Sequence, residues 1–304
     1  MKYDASITPR QSFVDYSIPP TLAPVVGARL DGSASVDTSS GLLLTLLGEL
    51  VLPNGGVAWT QTVIEVMELL DVREKAARQA LARMAERGLL GREKVGRQTR
   101  WTLTDQARSL LVPGAERIYA FGQKARRWDG TWLVLLASVP ETERGTRYRM
   151  RVGLSWAGFG SIGQGTWLSP WAQQEPLAVD LLKDLGVEAT SFIARMGQLG
   201  SPTDLAAEAW DLPELGAAYD DFLADTAHAV DLRPKGEAAV GDLVALVHRW
   251  RRFPFLDPDL PHELLPDGWP APDAVKRFAR LRAARSAQAQ QWWRDREADL
   301  DPER

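Results

Sequence analysis

Apolar side chains recur at two periods along this chain, and the places where the period changes divide it. Residues 1–40 show no sustained period. Pro9, Pro19, Pro20, Pro24 and the polar stretch from Asp31 to Ser40 predict a loosely docked tail. From Gly41 the texture changes. Leu42 to Leu52 reads as a buried helix, ended by the turn residues Pro53-Asn54-Gly55-Gly56. Thr60 is placed to cap a second helix carrying Val63, Ile64, Met67 and Leu70 on one face. A third helix opens at Asp71, with Glu74 at capping-box spacing, and stripes Val72, Ala76, Ala80 and Met84, widened by Ala77 and Leu81. Gly88 is its natural stop. Two short extended runs then flank Gly96-Arg97 as a hairpin, and Thr104 caps another helix. Three short helices, a hairpin and a closing helix, in that order, predict a winged helix-turn-helix over residues 41–125.

The middle region, residues 126–200, has a different rhythm. Trp132 to Ala137 is a buried strand by composition and Thr142 to Trp156 a helix. The Gly-rich stretch Gly158 to Pro170 reads as a hairpin, Leu177 to Leu185 as a helix, and Val187 to Ala194 as extended. The order β-α-β-β-α-β predicts a ferredoxin-like unit. Residues 201–304 are helical, with candidates Leu212 to His228, Val240 to Arg251 and Asp273 to Asp299. The fold class is therefore α+β: a winged helix-turn-helix, a ferredoxin-like domain and a helical C-terminal domain.

Composition narrows what such a chain can do. Absence of cysteine among its 304 residues excludes a disulfide scaffold and thiol catalysis and fits a reducing, cytoplasmic setting. The N-terminus lacks the pattern of a signal peptide, and no apolar run approaches the roughly 18 residues that span a bilayer, so no membrane partner is expected. The net charge of −4 hides an asymmetry: residues 1–151 carry +5 and residues 152–304 carry −9. A basic front places any nucleic-acid contact in the first half.

The third helix carries that contact. With its apolar stripe turned inward, Arg73, Lys75, Arg78, Gln79 and Arg83 face out. Residues 73–100 hold nine Lys and Arg against three acids. In the major groove of double-stranded DNA, Arg can pair bidentately with guanine and Gln with adenine. Lys94, Arg97 and Arg100 of the hairpin can reach phosphates. Catalytic signals are weak by comparison. Gly158-Phe159-Gly160-Ser161-Ile162-Gly163 matches a dinucleotide fingerprint, but a helix precedes it and none follows, so its glycines are assigned to a hairpin. His228, His248 and His262 lack metal-ligand spacing, and no cofactor is implied. No enzyme is expected. A metal-dependent nucleic-acid-processing role for the middle region, or a protein-interaction scaffold, are the alternatives.

Several blocks, taken in order, resemble the PaaX-type repressors of phenylacetate catabolism. They are Leu46-Leu47-Gly48-Glu49 with Gly55-Gly56-Val57-Ala58-Trp59, then Arg78 to Met84 leading to Gly88-Leu89-Leu90, then Gly96-Arg97 with Leu103-Thr104. Trp128-Asp129-Gly130, Trp156 to Gly160, Gly165 to Pro170, Trp250-Arg251-Arg252-Phe253 and Asp257 to Pro261 continue the series. The resemblance implies a central domain similar to the Cas2 proteins and a homodimeric repressor. It also implies release from operator DNA by an aryl-acyl-CoA such as phenylacetyl-CoA. The first central strand carries no carboxylate, which argues against Cas2-type nuclease chemistry. A CoA thioester needs cations for its phosphates and apolar walls for its ring. Arg147, Arg149 and Arg151 with Trp156, Phe159 and Trp167 form one candidate site, and Trp250 with Arg251 another.

Overall fold

A computed structural model describes residues 39–123 and 126–301. The expected N-terminal tail therefore lies outside the described residues, except Ser39 and Ser40, which open the first helix. That helix, α1 (Ser39–Leu46), passes into a π turn, Leu47–Val51. Leu43, Leu46, Leu47 and Leu50 are fully buried along it. After the Pro53 turn comes a strand the sequence did not announce, β1 (Val57–Trp59). Helix α2 is Thr60–Glu68. Thr60 is not its cap: Trp59 occupies that place, and the Thr60 hydroxyl donates to the Thr99 carbonyl at 2.9 Å while accepting from Trp101 Nε1 at 2.8 Å.

Helix α3 (Glu74–Glu86) also starts later than its spacing suggested. Asp71 lies in the left-handed region at φ 60°, in a turn whose amides bond back to the α2 carbonyls of Met67 and Glu68. Arg73, with extended backbone, stands at the cap, so the Asp71–Glu74 capping box does not form. The buried stripe shifts accordingly, to Ala77, Ala80, Leu81 and Met84, with Val72 and Ala76 only half-buried. The helix ends as predicted at Gly88 (φ 75°). Its N–H bonds the Ala85 carbonyl and the Leu89 N–H the Met84 carbonyl, the paired closure that requires a left-handed residue.

Strands β2 (Leu90–Val95) and β3 (Gln98–Leu103) form the predicted hairpin, and β1 adds to β3, giving the order β1-β3-β2. Thr104 caps α4 (Asp105–Ala120), its hydroxyl accepting from the Ala107 N–H.

The middle of the chain runs β4 (Thr131–Ala137), α5 (Arg144–Trp156), β5 (Gly160–Ser161), β6 (Thr166–Ser169), α6 (Glu175–Leu185) and β7 (Ala189–Arg195). Its antiparallel sheet has the order β5-β6-β4-β7, the ferredoxin-like arrangement. Leu133, Leu135 and Ala137 of β4 face Met150 and Leu154 of α5 and Ala178 and Leu182 of α6. Trp132, on the opposite face, packs with Ala206 of α7 (Pro202–Ala209) and with Leu264. That second face is covered at Trp132, half-covered at Val134 and open at Leu136, so the unbroken apolar run of β4 goes beyond what is buried. The glycines of the apparent nucleotide fingerprint have packing work instead. Gly158 closes α5 with φ 83°, and a Cβ on Gly160 would lie 2.5 Å from the Trp210 ring.

The C-terminal region comprises α8 (Leu212–Asp225), α9 (Gly236–Trp250), the short α10 (Phe253–Leu256) and the long α11 (Ala271–Asp299). These helices share one continuous apolar core with the winged helix, running from Leu43 and Leu46 through Val244 and Trp250 to Phe278 and Trp293. No helix among the described residues is long and apolar enough to cross a membrane.

Candidate nucleic-acid interface

The exposed side of α3 begins at its cap. Arg73, Lys75, Arg78 and Gln79 are all solvent-facing, on the first half of the helix, where a recognition helix meets base edges. Arg78 pairs with Glu74 one turn earlier at 2.8 Å, both side chains more than half exposed. Such an open pair contributes about 0.3–0.5 kcal/mol, so exchanging it for a guanine costs little. Arg83 differs from expectation. It is half-buried and its guanidinium donates to the hydroxyls of Ser39 and Ser40, tying α3 to the start of α1.

On the hairpin, Lys94 and Arg97 are exposed beside the Gly96 turn. Arg100 is half-buried on β3, bonded to Glu93 at 2.7 Å and lying over the Trp59 ring at 5.7 Å, so it is held against the sheet. Two cations not singled out beforehand, Arg87 and Arg92, are exposed in the same segment. Their local charge was already visible in the sequence.

The helix-turn-helix is held from behind by the far end of α11. The Trp59 N–H, at the start of α2, donates to Glu297 at 3.1 Å, and Arg296 bonds Glu65 in the middle of α2 at 2.6 Å. Burial pushes the Glu297 carboxyl up to about 7. The hydrogen bond from Arg296 holds Glu65 below the usual carboxylate range. Nothing local in the sequence joins residues 59–65 to 296–297.

The residues proposed for an effector separate into two groups. Phe159 and Trp167 belong to the core of the middle sheet, and Trp250 is completely buried, stacked on Phe278 at 4.6 Å. All three are core aromatics; Phe159 alone also lines a cavity, of about 220 Å³, between the sheet and α6. Arg149 and Arg151 are exposed on α5, while Arg147 donates to the Val139 carbonyl. Trp156 and Arg251, far apart in sequence, approach one cluster: Trp156 packs on Phe255 at 4.5 Å, Arg117 covers both rings, and Phe255 lines a cavity with Arg251.

Comparison with known proteins fits this geometry. Residues 38–107 match the PaaX-like protein family, residues 125–206 the PaaX protein central Cas2-like domain, and residues 210–295 the PaaX-like protein C-terminal domain. The chain belongs to the PaaX family. The Transcriptional repressor PaaX of Escherichia coli (strain K12) is 30% identical over 244 residues, 76% of this chain and 75% of that protein. Among solved structures, the uncharacterized protein Rv0674 from Mycobacterium tuberculosis is similar with a TM-score of 0.58 and 26% identity, over 86% of this chain and 100% of that one. The PaaX matches fall on the α3 helix and wing, on the ferredoxin-like sheet and on the helices that share the winged-helix core.

Proposed function

We propose that this chain is a cytoplasmic, homodimeric transcriptional repressor that inserts α3 into the major groove of operator DNA and sets its hairpin against the backbone. The observation that carries the reading is the run of unburied cations on the first half of α3, Arg73, Lys75 and Arg78, followed by Lys94 and Arg97 at the hairpin tip. A dimer presents two such helices to half-sites about one helical turn, ~34 Å, apart. The operon it controls serves aromatic-acid catabolism, and an aryl-acyl-CoA such as phenylacetyl-CoA releases it; the membership in the PaaX family supports both statements.

Two substitutions separate base reading from backbone contact. Arg78→Ala should weaken operator binding by about 1–3 kcal/mol and relax preference at one base pair. Arg97→Ala should weaken binding to all sequences alike and lower the salt slope by about one. Titration of both variants on operator and scrambled DNA over a salt series checks this. Parent-like behaviour from both would remove α3 and the hairpin as the reading surface. The effector is tested by operator release over a panel of acyl-CoA thioesters; release by none would remove that class and leave DNA binding standing.

A further inference from the structure

Between the winged helix and the C-terminal helices lies a cavity of about 90 Å³. Its walls come from the π turn after α1, from α4, and from α9 and α10. Most of that lining is apolar: Leu44, Leu110, Ile118, Val247 and Phe255. The engineered cavity of roughly 150 Å³ that accepts benzene is larger, so this one suits a short aliphatic body rather than an aromatic ring. Its size excludes a nucleotide.

The charged and polar groups around it differ in how they are paired. Glu49, almost fully buried, lies 3.5 Å from Arg282, and Arg282 sits 3.8 Å over the Tyr119 ring. The Thr45 hydroxyl meets His248 Nδ1 at 3.0 Å. Arg251 is different. Its guanidinium stands half-buried at the C-terminal cap of α9, with no carboxylate in ion-pair range among the described residues. Burial alone pulls its pKa down to about 10, with no opposing charge to hold it up. The negative end of the α9 dipole offsets part of the cost of burying this cation, and an anion would offset the rest. The π turn supplies a further sign. Such turns interrupt an α-helix at a cost and cluster at functional sites, and this one contributes Gly48 and Glu49 to the wall.

We propose that this cavity binds a small organic acid, an apolar body bearing one carboxylate, with Arg251 as the counter-ion. The acid would bridge α1 and α4 of the winged helix to α9 and α10. Occupancy is then coupled to how the DNA-reading half sits on its support. That consequence rests on the repressor reading above; binding itself does not.

The test is calorimetric titration of the full chain, without DNA, with butyrate and with its neutral amide, butyramide. The acid should bind at least about tenfold tighter than the amide, which is 1.4 kcal/mol. Arg251→Met, close in length and uncharged, should bring that ratio to about one. Gly114→Leu should abolish uptake of both, because Gly114 lines the cavity from α4 and a Cβ there meets nothing within 4 Å. Circular dichroism and thermal unfolding establish that both variants fold. Acid and amide binding alike, no uptake of the acid, or an acid preference that survives in Arg251→Met would each overturn the proposal. In that last case Arg251 only ties off the end of α9. A parent chain that takes up the acid but binds no operator would instead sink the repressor reading and leave this one standing.

Discussion

Trp250→Ala should lower the unfolding free energy by about 3–5 kcal/mol, the usual range for emptying a buried Trp site. The site gives no room to collapse. Trp250 has no exposed surface, and its indole meets Phe278 at 4.6 Å, Phe253 at 5.1 Å and Phe222 at 5.3 Å. Its Nε1 donates to the Ile118 carbonyl at 3.3 Å, which joins it to α4. One residue of α9 therefore contacts α4 and three other elements of the C-terminal region, α8, α10 and α11. Since a domain is stable by only about 5–15 kcal/mol, the loss is about a fifth of the total or more.

The distribution of that loss matters as much as its size. The apolar core is continuous from Leu43 in α1 to Trp293 in α11. The winged helix should consequently unfold with the C-terminal helices, in one transition. Urea titration followed by circular dichroism and by DNA binding should give coincident curves for the parent, and coincident curves at lower urea for Trp250→Ala. A variant that loses helicity at the far end while DNA binding persists to the parental midpoint would show two independent units. Trp250→Phe, which keeps most of the ring packing, should recover much of the stability.

This shared core is the feature least legible in the amino-acid sequence. Helical periodicity in α1, α9 and α11 says that one face of each is buried and says nothing about the partner. Local signals worked where the physics is local. The Gly88 closure, the Thr104 cap and the β-α-β-β-α-β order all follow from residues within a few positions of one another. They failed where a short element leans on a distant one. Three residues of β1 are too few to show an alternation, and the strand exists because β3 lies beside it. Asp71 has the residue type of a cap and serves as a left-handed turn residue. The candidate site divides in the same way. The cations of α3 and the hairpin were readable from spacing. An aromatic next to a cation, by contrast, suits a ligand wall and a core equally, and Phe159, Trp167 and Trp250 turned out to be core. The cavity around Arg251 depends on residues 110–119 meeting residues 247–255, which no motif encodes.

The clamp at the end of α11 leads to the second large effect, a pH dependence carried by Glu297. Burial raises this carboxyl to about 7, against 4.5 ordinarily. Between those values the folded chain keeps a proton that the unfolded chain has released. Protons then favour folding, so this group's contribution is fully favourable below about 4.5, declines as pH rises, and is gone above about 7. A shift of that size is worth at most ~3 kcal/mol. Glutamine keeps a carbonyl to accept the Trp59 N–H and removes the charge. Glu297→Gln should therefore match the parent near pH 5 and exceed it in melting temperature near pH 8. Thermal unfolding of both proteins across that range decides the matter; parallel curves would mean that Glu297 titrates as an ordinary carboxylate. The comparison has to be made as a difference, because burial also raises Asp257, to about 6, and Glu49 upward, and both tilt the parental curve in the same direction. Subtracting the variant from the parent cancels those slopes. What remains is the cost of ionising the one carboxylate that ties α11 to the start of the helix-turn-helix.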